Sequence, residues 1–408
     1  MSSAALSGLR IIDLSRILAA PFATQLLADL GADVIKIERP GAGDDARQYG
    51  PPFLEDSDGN LLEDAGFYLS CNRNKRSVTI DYSKPEGAEM IRALALNSDV
   101  FIENFRTGVL VKYGLDYASL AAINPRLVYC SVTGYGQDGP YANRPGYDGV
   151  FQAMCGMMSV SGLPDGEPGG GPMKVGVSMV DILTGLYAAN AIQAALRHRD
   201  QGGQGQHIDM ALLDCGLAAL SHYAQNYLIS GVVPERRGNG GFGGIPSQTF
   251  RCADRDIFIV ASTNKQFAAL CLVLGNAALA DDPRFASVSS RIANRDALLT
   301  TLATIFATRT VDGWLPELEA ADVPASPVND MPRVFDNPQV RFREMLQHAQ
   351  HSQAGEIPLL RNPIRLSATP IDEYRAPPLL GEDTADVLAS LLGYDADRIA
   401  ELHAQRVI

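Results

Sequence analysis

Short apolar runs alternate with longer amphipathic stretches along the first third of the chain. The short runs are rich in β-branched side chains, which is typical of buried strands. They predict strands at Leu9–Leu14, Asp33–Ile37, Ser77–Asp81, Asp99–Glu103 and Arg126–Thr133. The stretches between them predict helices at Pro21–Leu30, Ser83–Leu96 and Thr107–Ala122, and a loop at Glu38–Asp64. This alternation predicts an α/β fold with a doubly wound, mostly parallel, Rossmann-like sheet.

Local signals mark the ends of the predicted helices. Pro21 stands at the start of the first helix, and Gly31 follows its end. Ser83 and Glu86 form a capping-box pattern at the start of the next predicted helix.

Ligands of doubly wound sheets bind at the carboxyl ends of the strands. The predicted ligand-binding loops therefore follow Leu14, Ile37, Glu103 and Thr133.

One junction between a loop and a helix carries candidate chemistry. The glycine-rich run at 162–171 and the segment Lys174–Gly185 precede an apolar run, Ile182–Leu196, which predicts a buried helix. Asp181 stands where the loop becomes the helix, and free backbone N–H groups favour anions there. Aspartate is a good N-cap, and an ionised carboxylate in a mobile loop is also a possible nucleophile. The pattern alone leaves both interpretations open.

The second half of the chain has a different composition. Gly231–Ser247 is rich in glycine and predicts a domain boundary. Ser247–Ala261 predicts a hairpin that turns at residues 254–256. Helices are predicted at Lys265–Leu274, Arg295–Ala307, Val311–Ala320, Asn337–Gln347 and Asp383–Leu392, and Val323–Val328 is predicted to be a linker or an edge strand.

Two segments match the G-x-G-x-x-G pattern of dinucleotide-binding sites. Gly134–Gly139 follows a predicted strand, but Pro140 and the residues after it do not begin a helix. No predicted strand precedes Gly238–Gly243. Because the dinucleotide site requires a strand, a turn and a helix together, neither segment predicts one.

Composition and charge narrow the classes of function. The chain has 408 residues, of which 46% are hydrophobic and 20% charged, as in globular proteins of two or three domains. Its 34 basic and 47 acidic residues give a net charge of −13, which argues against a nucleic-acid partner.

The spacing of cysteines bears on the redox compartment, and the spacing of histidines bears on metal binding. The six cysteines are scattered without a C-x-x-C pair, which predicts buried free thiols in a reducing environment. The six histidines show no metal-binding spacing. The first residues lack a signal-peptide pattern, and no run approaches about 18 consecutive apolar residues. We therefore expect a cytoplasmic protein with no metal and no membrane partner.

An ordered series of motifs resembles the class III (family III) CoA-transferases of the CaiB/BaiF type, which include formyl-CoA transferase and the carnitine-CoA transferases. The motifs are Gly8–Arg16, Ala20–Ala23, Leu30–Pro40, Asn72–Ser77, Glu103–Arg106, Gly134–Gly136, Gly146–Asp148, Asp181–Gly185 and Gly203–Gln206. They extend over nearly the whole first half in one order, and the resemblance covers nearly the whole chain.

The resemblance implies an interlocked homodimer. It implies a large α/β domain built from residues 1–225, a linker and small α+β domain at 226–328, and a segment at 329–408 that returns to the large domain. It also implies that Asp181 is the catalytic nucleophile and that coenzyme A is carried as a thioester from an acyl-CoA donor to a carboxylic acid acceptor.

The resemblance further assigns binding residues. Those that match the CoA site, or lie beside matching positions, are Arg16, Ile17, Leu18, Ala19, Arg39, Lys75, Arg76, Asn104, Phe105 and Lys112. Gly240, Gly241, Gly243 and Gly244 belong to a run that resembles the mobile glycine loop over the active site. For each basic residue a solvated surface charge remains the alternative, and for the glycine run an interdomain linker.

Other functions of the same fold remain as alternatives. The α-methylacyl-CoA racemases have the motif G-H-D where this chain has Gly146–Asp148, and their histidine is the acid/base partner of the aspartate that corresponds to Asp181. Here Tyr147, a predicted substrate or loop residue, replaces that histidine. Tyrosine titrates near pH ~10, so it is a poor base at neutral pH. Asp148 could still act as a base, and a CoA-binding protein without activity is the remote alternative.

The segment Gly41–Phe53 points to the substrate. It resembles family members that move CoA between dicarboxylic acids, with succinyl-CoA as the donor and malate, glutarate, hydroxymethylglutarate, itaconate or mesaconate as acceptors. Arg47 is the predicted partner for a distal carboxylate. Formate, oxalate and carnitine remain alternatives, because the selecting pocket depends on loop geometry.

Overall fold

The computed structural model describes residues 4–241 and 243–408. In this part of the chain the strands are β1 Arg10–Asp13, β2 Asp33–Glu38, β3 Phe53–Glu55, β4 Leu61–Ala65, β5 Lys75–Thr79, β6 Val100–Glu103, β7 Val128–Thr133, β8 His207–Ala211, β9 Ser247–Arg251, β10 Asp256–Val260, β11 Ala325–Pro327, β12 Leu346–His351 and β13 Gly355–Leu360.

The helices of the first half are α1 Ala19–Asp29, α2 Gly66–Leu69, α3 Pro85–Leu96, α4 Tyr117–Ile123, α5 Asp148–Met154, α6 Met157–Val160, α7 Met179–Asp200, α8 Leu212–Ala219 and α9 His222–Ser230. Those of the second half are α10 Asn264–Val273, α11 Ala278–Asp281, α12 Val288–Ala293, α13 Arg295–Phe306, α14 Val311–Ala320, α15 Met331–Asp336, α16 Pro338–Phe342, α17 Thr384–Leu392 and α18 Ala396–Ala404.

A six-stranded parallel sheet forms the centre of the first half. Its strand order is β5-β2-β1-β6-β7-β8. The chain first adds strands on one side of β1 and then continues on the other, so the order reverses between β1 and β6. Crevices for ligands form at such a reversal, at the carboxyl ends of the strands. The predicted α/β class with a large parallel sheet is confirmed.

Alternate side chains of each strand pack on opposite faces of this sheet. Ile11 joins a core cluster with α1 and α7, whereas Ile12 joins a second cluster with α3 and α17. Both side chains are fully buried, and burial of one such side chain is worth about 1.5–3 kcal/mol. The apolar runs of the sequence therefore have no polar alternation, because both of their faces are covered.

The chain divides into two compact units. The first contains residues 1–157, 175–231 and 341–408, and the second contains 158–174 and 232–340. The division therefore assigns residues 158–174 to the second unit, whereas the sequence analysis assigned them to the large domain. The second unit has its own antiparallel sheet, in the order β11-β10-β9. It also has its own core, which includes Phe267, Phe306 and Trp314.

Some predicted elements differ from the structure. The stretch Thr107–Ala122 is mainly turns with a 3₁₀ segment at Val111–Tyr113, and only its end enters α4. Gly108 and Gly114 have φ angles of +80° and +63°, which interrupt a helix. The predicted loop Glu38–Asp64 contains a 3₁₀ turn, β3 and most of β4, and the predicted helix Asn337–Gln347 is divided between α16 and β12.

The second-unit hairpin and the thiols agree with the sequence analysis. Strands β9 and β10 pair antiparallel and are closed by Cys252 N–H, which donates to the Arg255 carbonyl at 2.9 Å. Strand β11 pairs with β10 at the edge of this sheet. All six cysteines are free and buried, as predicted.

Helix α7 is long and apolar enough to cross a membrane by length and composition alone, the one such helix within the described ranges. In its most apolar window 44% of the residues are buried in the protein. Core helices of globular proteins meet the same criterion.

Helix α7 packs closely on α1. Gly185 lies against α1, where an added Cβ would stand 2.6 Å from the Ala19 carbonyl oxygen. The missing side chain therefore lets these two helices approach closely.

Candidate active site

Asp181 lies in the first turn of α7. The helix begins at Met179, and Ser178 occupies the N-cap position without a capping hydrogen bond from its side chain. Asp181 is therefore not the N-cap, which removes the capping interpretation of this residue. Its side chain is half-buried.

A second carboxylate takes over the capping of α7. Asp148, the first residue of α5, is buried, and its Oδ1 accepts hydrogen bonds from the backbone N–H groups of Val180 at 2.8 Å and Asp181 at 3.3 Å. Its Oδ2 accepts from Gln152 Nε2 at 2.6 Å. The N–H groups expected to face a bound anion are thus filled from inside the protein. Because both oxygens of Asp148 are engaged, the geometry favours a capping residue over a proton-transfer base.

Gln152 connects this cap to the loop before α7. Its Oε1 accepts from Val175 N–H at 2.9 Å, and its Nε2 donates to the Val177 carbonyl at 3.2 Å. One buried amide therefore holds both Asp148 and the segment that leads to Asp181. The position of the Asp181 backbone is set by these contacts.

The surroundings of Asp181 make its carboxyl group a weaker acid. Burial, and secondly the charge of Asp148, raise the pKa of Asp181 to about 7. Both protonation states are then populated near neutral pH. Such a carboxylate can act as a nucleophile and can also leave again from an acyl intermediate.

A crevice of about 450 Å³ lies in the first unit, at the reversal of strand order. Arg16, Arg39 and Phe105, three of the predicted CoA-binding residues, line it together. The guanidinium of Arg16 lies 5.2 Å from the centre of the Phe105 ring. Cationic groups and an aromatic face are suited to phosphate and adenine, respectively.

The turn between β1 and α1 is held on both sides. Asn104 Oδ1 accepts from Arg16 N–H at 2.9 Å, and Asn104 Nδ2 donates to the Arg16 carbonyl at 2.7 Å. Ile17 follows with a φ of +70°, which is strained for a β-branched residue. Leu18, at the N-cap position of α1, and Ala19, its first residue, are buried in the core and are not among the residues that line the crevice.

Asp44 stabilises the strained turn. Its Oδ1 and Oδ2 accept from Ile17 N–H at 3.0 and 3.2 Å. Lys36 donates to Asp44 Oδ2 at 2.8 Å and to the Ser15 carbonyl at 2.9 Å. The side chains of Lys36 and Asp44 have no solvent exposure. Burial alone would raise the pKa of Asp44, but Lys36 outweighs it and holds that pKa below its usual range.

Two predicted basic residues, Lys75 and Arg76, do not face the crevice with a free charge. Lys75 is buried, and its Nζ donates to Asp13, Asn72 and the Pro21 carbonyl at 2.9–3.0 Å. An ammonium has three donors, so Lys75 is saturated and is neither a surface charge nor an open phosphate ligand. Arg76 pairs with Asp33 at the amino ends of β5 and β2, at the opposite edge from the crevice.

Lys112 lies nearer to the crevice. Its Nζ stands 4.6 Å from the Tyr113 ring centre, and it lines an adjoining cavity of about 420 Å³. Tyr82, Ser83 and Tyr113 border both cavities. Lys112 therefore has a location suited to an anionic group at the end of a bound nucleotide.

Arg47 is enclosed by the protein. Its guanidinium pairs with Glu38 at 2.7 Å and with Asp64, and it donates to Tyr68 Oη at 2.6 Å. Its side chain is 3% exposed. The structure therefore uses Arg47 to hold the 3₁₀ turn Asp45–Gln48 against the core, rather than to present a guanidinium to a substrate carboxylate. Tyr147, in contrast, is 69% exposed at the N-cap position of α5.

The predicted glycine loop belongs to the second unit. Gly240 N–H donates to the Arg237 carbonyl at 2.8 Å, and Gly241 N–H donates to the Ser247 carbonyl at 2.7 Å. An added Cβ at Gly244 would stand 2.7 Å from Ser262, whereas Gly243 has open space around it. Phe242, within the same pattern, lies outside the described residues. No strand precedes the pattern, as the sequence analysis stated for this dinucleotide-like segment.

The buried charges below the crevice were not predicted from the sequence. Asp13, Lys36, Asp44 and Glu38 are all buried and join one network with Lys75. A signal was present, because Lys36 and Glu38 interrupt an otherwise apolar buried strand. Charged groups in such a position must be paired with one another.

Comparison with known proteins agrees with these features. The model of the family described as CoA-transferase family III matches residues 6–384. A succinate–glutarate CoA-transferase of Agrobacterium fabrum is 46% identical over 386 residues, covering 95% of each chain. A human succinyl-CoA:glutarate CoA-transferase is 40% identical over 403 residues, covering 99% of this chain and 90% of the human protein.

Solved structures give the same result. The crystal structure of a CaiB/BaiF family protein from Brucella suis has a TM-score of 0.86 and 45% sequence identity, and the match covers 96% of this chain and all of that one. A second structure, of Rv3272 from Mycobacterium tuberculosis, has a TM-score of 0.81 at 31% identity over 95% of this chain. The chain therefore belongs to CoA-transferase family III.

Proposed function

We propose that this protein transfers CoA from succinyl-CoA to a dicarboxylic acid, with glutarate as the first acceptor to test. The observation that carries the proposal is the half-buried Asp181 carboxylate, positioned by Asp148 at the start of α7. The choice of donor and acceptor is supported by the relatives that are 46% and 40% identical, whose names specify succinate or succinyl-CoA together with glutarate.

In the first half-reaction the Asp181 carboxylate attacks the thioester carbonyl of succinyl-CoA. The C–S bond breaks and CoA departs as its thiolate. The product on the enzyme is a mixed anhydride of Asp181 and succinate. The thiolate then attacks the aspartyl carbonyl, which gives an aspartyl-CoA thioester and releases succinate. The energy of the original thioester is thereby kept on the enzyme.

In the second half-reaction the acceptor carboxylate attacks the aspartyl thioester and expels the thiolate again. The thiolate attacks the acyl carbonyl of the new anhydride, which forms the product thioester and restores the Asp181 carboxylate. Each addition passes through an oxyanion that requires fixed donors. Because Asp148 already accepts from the Val180 and Asp181 N–H groups at the start of α7, these two groups are not available to stabilise that oxyanion.

The crevice of Arg16, Arg39 and Phe105 is the proposed site for the nucleotide part of CoA, with Lys112 at its end. Asn104 and Asp44 hold the turn that forms its wall. Burial of Asp181 limits the access of water, which would hydrolyse the anhydride.

A homodimer, interlocked as in the sequence analysis, is part of the proposal. Helices α7, α8 and α9 of the first unit expose large apolar side chains, namely Leu186, Tyr187, Leu217, Leu228 and Ile229. Leu228 and Ile229 are 74% and 77% exposed. Apolar surface of this kind is typical of a protein interface, and a second copy of the chain is the proposed occupant.

The test of the mechanism is a trapped intermediate. The wild-type protein is mixed with succinyl-CoA, trapped with hydroxylamine or borohydride, digested and mapped by mass spectrometry. We expect an adduct on Asp181 and glutaryl-CoA when glutarate is added. Asp181→Asn, which keeps the size of the side chain, should give neither product and should remain folded.

Two results would contradict this assignment. One is turnover by Asp181→Asn at a rate near that of the wild type. The other is deuterium uptake beside the thioester carbonyl in heavy water without any adduct, which is the outcome expected of a racemase.

A further inference from the structure

A pocket of about 650 Å³ lies within the second unit. Its walls come from residues 235–240, from Gly243, from β9 and from the start of α13. One side is apolar, with Leu163, Pro164, Ile292 and Leu299. This side offers a surface on which a short methylene chain can pack.

Three arginines supply the half-buried charge of the pocket. Arg236, Arg237 and Arg295 line it and are half-buried, whereas the lining carboxylates Glu167, Glu235 and Asp296 are exposed. Water screens the exposed carboxylates more strongly than the half-buried cations. The inner charge of the pocket is therefore positive.

The three arginines differ in their partners. Arg236 pairs with Asp165 and donates to the carbonyls of Ser159 and Leu163 at 3.2 and 3.3 Å. Arg295 forms no ion pair among the described residues, and its guanidinium makes one long hydrogen bond, 3.4 Å, to Gln248 Oε1. A guanidinium carries five N–H donors, so most donors of Arg295 have no acceptor among the described residues.

The positive charge of Arg237 disfavours the charged form of Arg295 when no anion is bound. Burial lowers the pKa of Arg295, the charge of Arg237 lowers it further, and Asp296 opposes both only in part. An anion between the two guanidinium groups would replace this repulsion with attraction. Gly240 leaves room for the guanidinium of Arg295, because an added Cβ there would overlap it.

We propose that Arg295, with Arg237, binds one carboxylate of a short aliphatic dicarboxylic acid or its half-thioester in this pocket. The positive inner charge matches the carboxylate, and the wall of Leu163, Ile292 and Leu299 matches the methylene chain. The inference rests on the proposed function for the identity of the acid. It assigns the discrimination between dicarboxylic and monocarboxylic acids to the second unit.

The test compares glutarate with pentanoate, which carries a methyl group in place of one carboxylate. Transfer from saturating succinyl-CoA is measured for the wild type, Arg295→Ala, Arg295→Lys and the control Arg251→Ala, an exposed arginine of β9 outside the pocket lining. We expect Arg295→Ala to lower kcat/KM for glutarate by about 10–100-fold, mainly through KM, since a charge-assisted contact is lost.

The other arms decide between a binding role and a structural one. Pentanoate should react within about twofold of the wild-type rate in Arg295→Ala, and Arg295→Lys should recover part of the glutarate activity, because it restores the charge without the planar fork. Equal losses for both acids, or an unchanged KM for glutarate in a folded variant, would overturn the proposal.

A direct binding measurement separates this inference from the proposed function. Glutarate is titrated calorimetrically into the wild-type protein and into Arg295→Ala. Loss of binding in the variant supports the pocket even if the wild type transfers no CoA, an outcome that would refute only the proposed function. Equal binding by both proteins would refute the pocket even if CoA transfer is observed.

Discussion

At the scale of the residue, Asp148 affects both the backbone position and the pKa of Asp181. Asp148 caps α7 through Val180 N–H and also places a second negative charge beside Asp181. Capping requires only an acceptor oxygen, whereas the electrostatic effect requires the charge. Asp148→Asn keeps an acceptor oxygen for Val180 N–H and removes the charge, while the acceptor for Gln152 Nε2 is lost. The variant therefore tests the charge with the helix cap retained.

The pH dependence of the reaction should follow the pKa of Asp181. The ionised form is the nucleophile, and its pKa is about 7, so kcat/KM for succinyl-CoA should rise as pH increases through 7. Asp148→Asn should move this inflection to lower pH, because a like charge is removed. Burial remains the larger cause, so the inflection should stay above the ordinary value of 3.8.

The free energy of unfolding should fall as pH rises towards 7, whereas the activity rises through pH 7. A carboxyl group whose pKa is raised by folding is harder to ionise in the native state, so Asp181 makes the protein less stable as pH rises from about 4 to 7.

The control for the activity profile is Asp200→Asn, at the exposed end of the same helix, which should leave the inflection of kcat/KM unchanged. A pH profile for Asp148→Asn identical to that of the wild type would refute the electrostatic role.

At the scale of the element, the turn between β1 and α1 combines strain with a buried ion pair. Ile17 takes a left-handed conformation, and its N–H points to Asp44, which Lys36 neutralises. The strained conformation persists because these contacts outweigh its cost, about 1–3 kcal/mol for a residue of this kind. The turn is thus shaped before any ligand binds.

Replacing Asp44 should test this element. Asp44→Asn keeps an acceptor for Ile17 N–H but leaves Lys36 with one fewer buried counter-charge. We expect a lower free energy of unfolding, by roughly 3 kcal/mol in urea denaturation, as for other broken buried pairs. The KM for succinyl-CoA should rise more than the KM for glutarate, because the turn lines the nucleotide crevice.

The matched control is Asp282→Asn, which removes a half-buried carboxylate that pairs with the exposed Arg284 in the second unit. Both KM values should then match those of the wild type. Parallel increases of the two KM values in Asp44→Asn would indicate general destabilisation instead of an effect on the turn.

Sequence-based prediction of the elements succeeded where one physical signal dominated. The strands β1, β2, β6 and β7 were predicted from short runs rich in apolar and β-branched residues. Strand β5, which begins with Lys75 and Arg76, was predicted only from Ser77 onwards. The start of α3 was predicted from a capping box of Ser83 and Glu86, whereas the structure has Lys84 at the N-cap without a side-chain cap and Pro85 at the first position. The strand β8 was missed, since His207–Ala211 alternates polar and apolar residues without a distinct boundary. Its pairing with β7 comes only from the tertiary structure.

At the scale of the whole molecule, the exposed apolar helix α9 predicts an oligomer. We expect the wild type to have twice the mass of one chain in light scattering coupled to size exclusion. The double substitution Leu228→Asp and Ile229→Asp should shift the population towards the monomer, because charges would replace apolar surface in the interface. Leu61→Asp, at an exposed residue of β4, is the control and should retain the wild-type mass.

A monomeric wild type at micromolar concentration would contradict the proposed homodimer. It would leave the CoA-transfer proposal to be decided by the trapping experiment, since Asp181 and its cap lie within one chain.

The sequence by itself determined the α/β class, the resemblance to class III CoA-transferases and the position of Asp181 at the start of a long apolar helix, which the structure shows to be only partly buried. These follow from local periodicity and from ordered motifs, which need no knowledge of distant contacts. Only the tertiary structure decided which charges are available to a ligand. Lys75 and Arg47 were predicted to bind ligands, yet both are engaged by buried acceptors from other elements, among them the carboxylates of Asp13 and Asp64. Side-chain pairing depends on distances that folding alone creates, so it cannot be read from the order of residues.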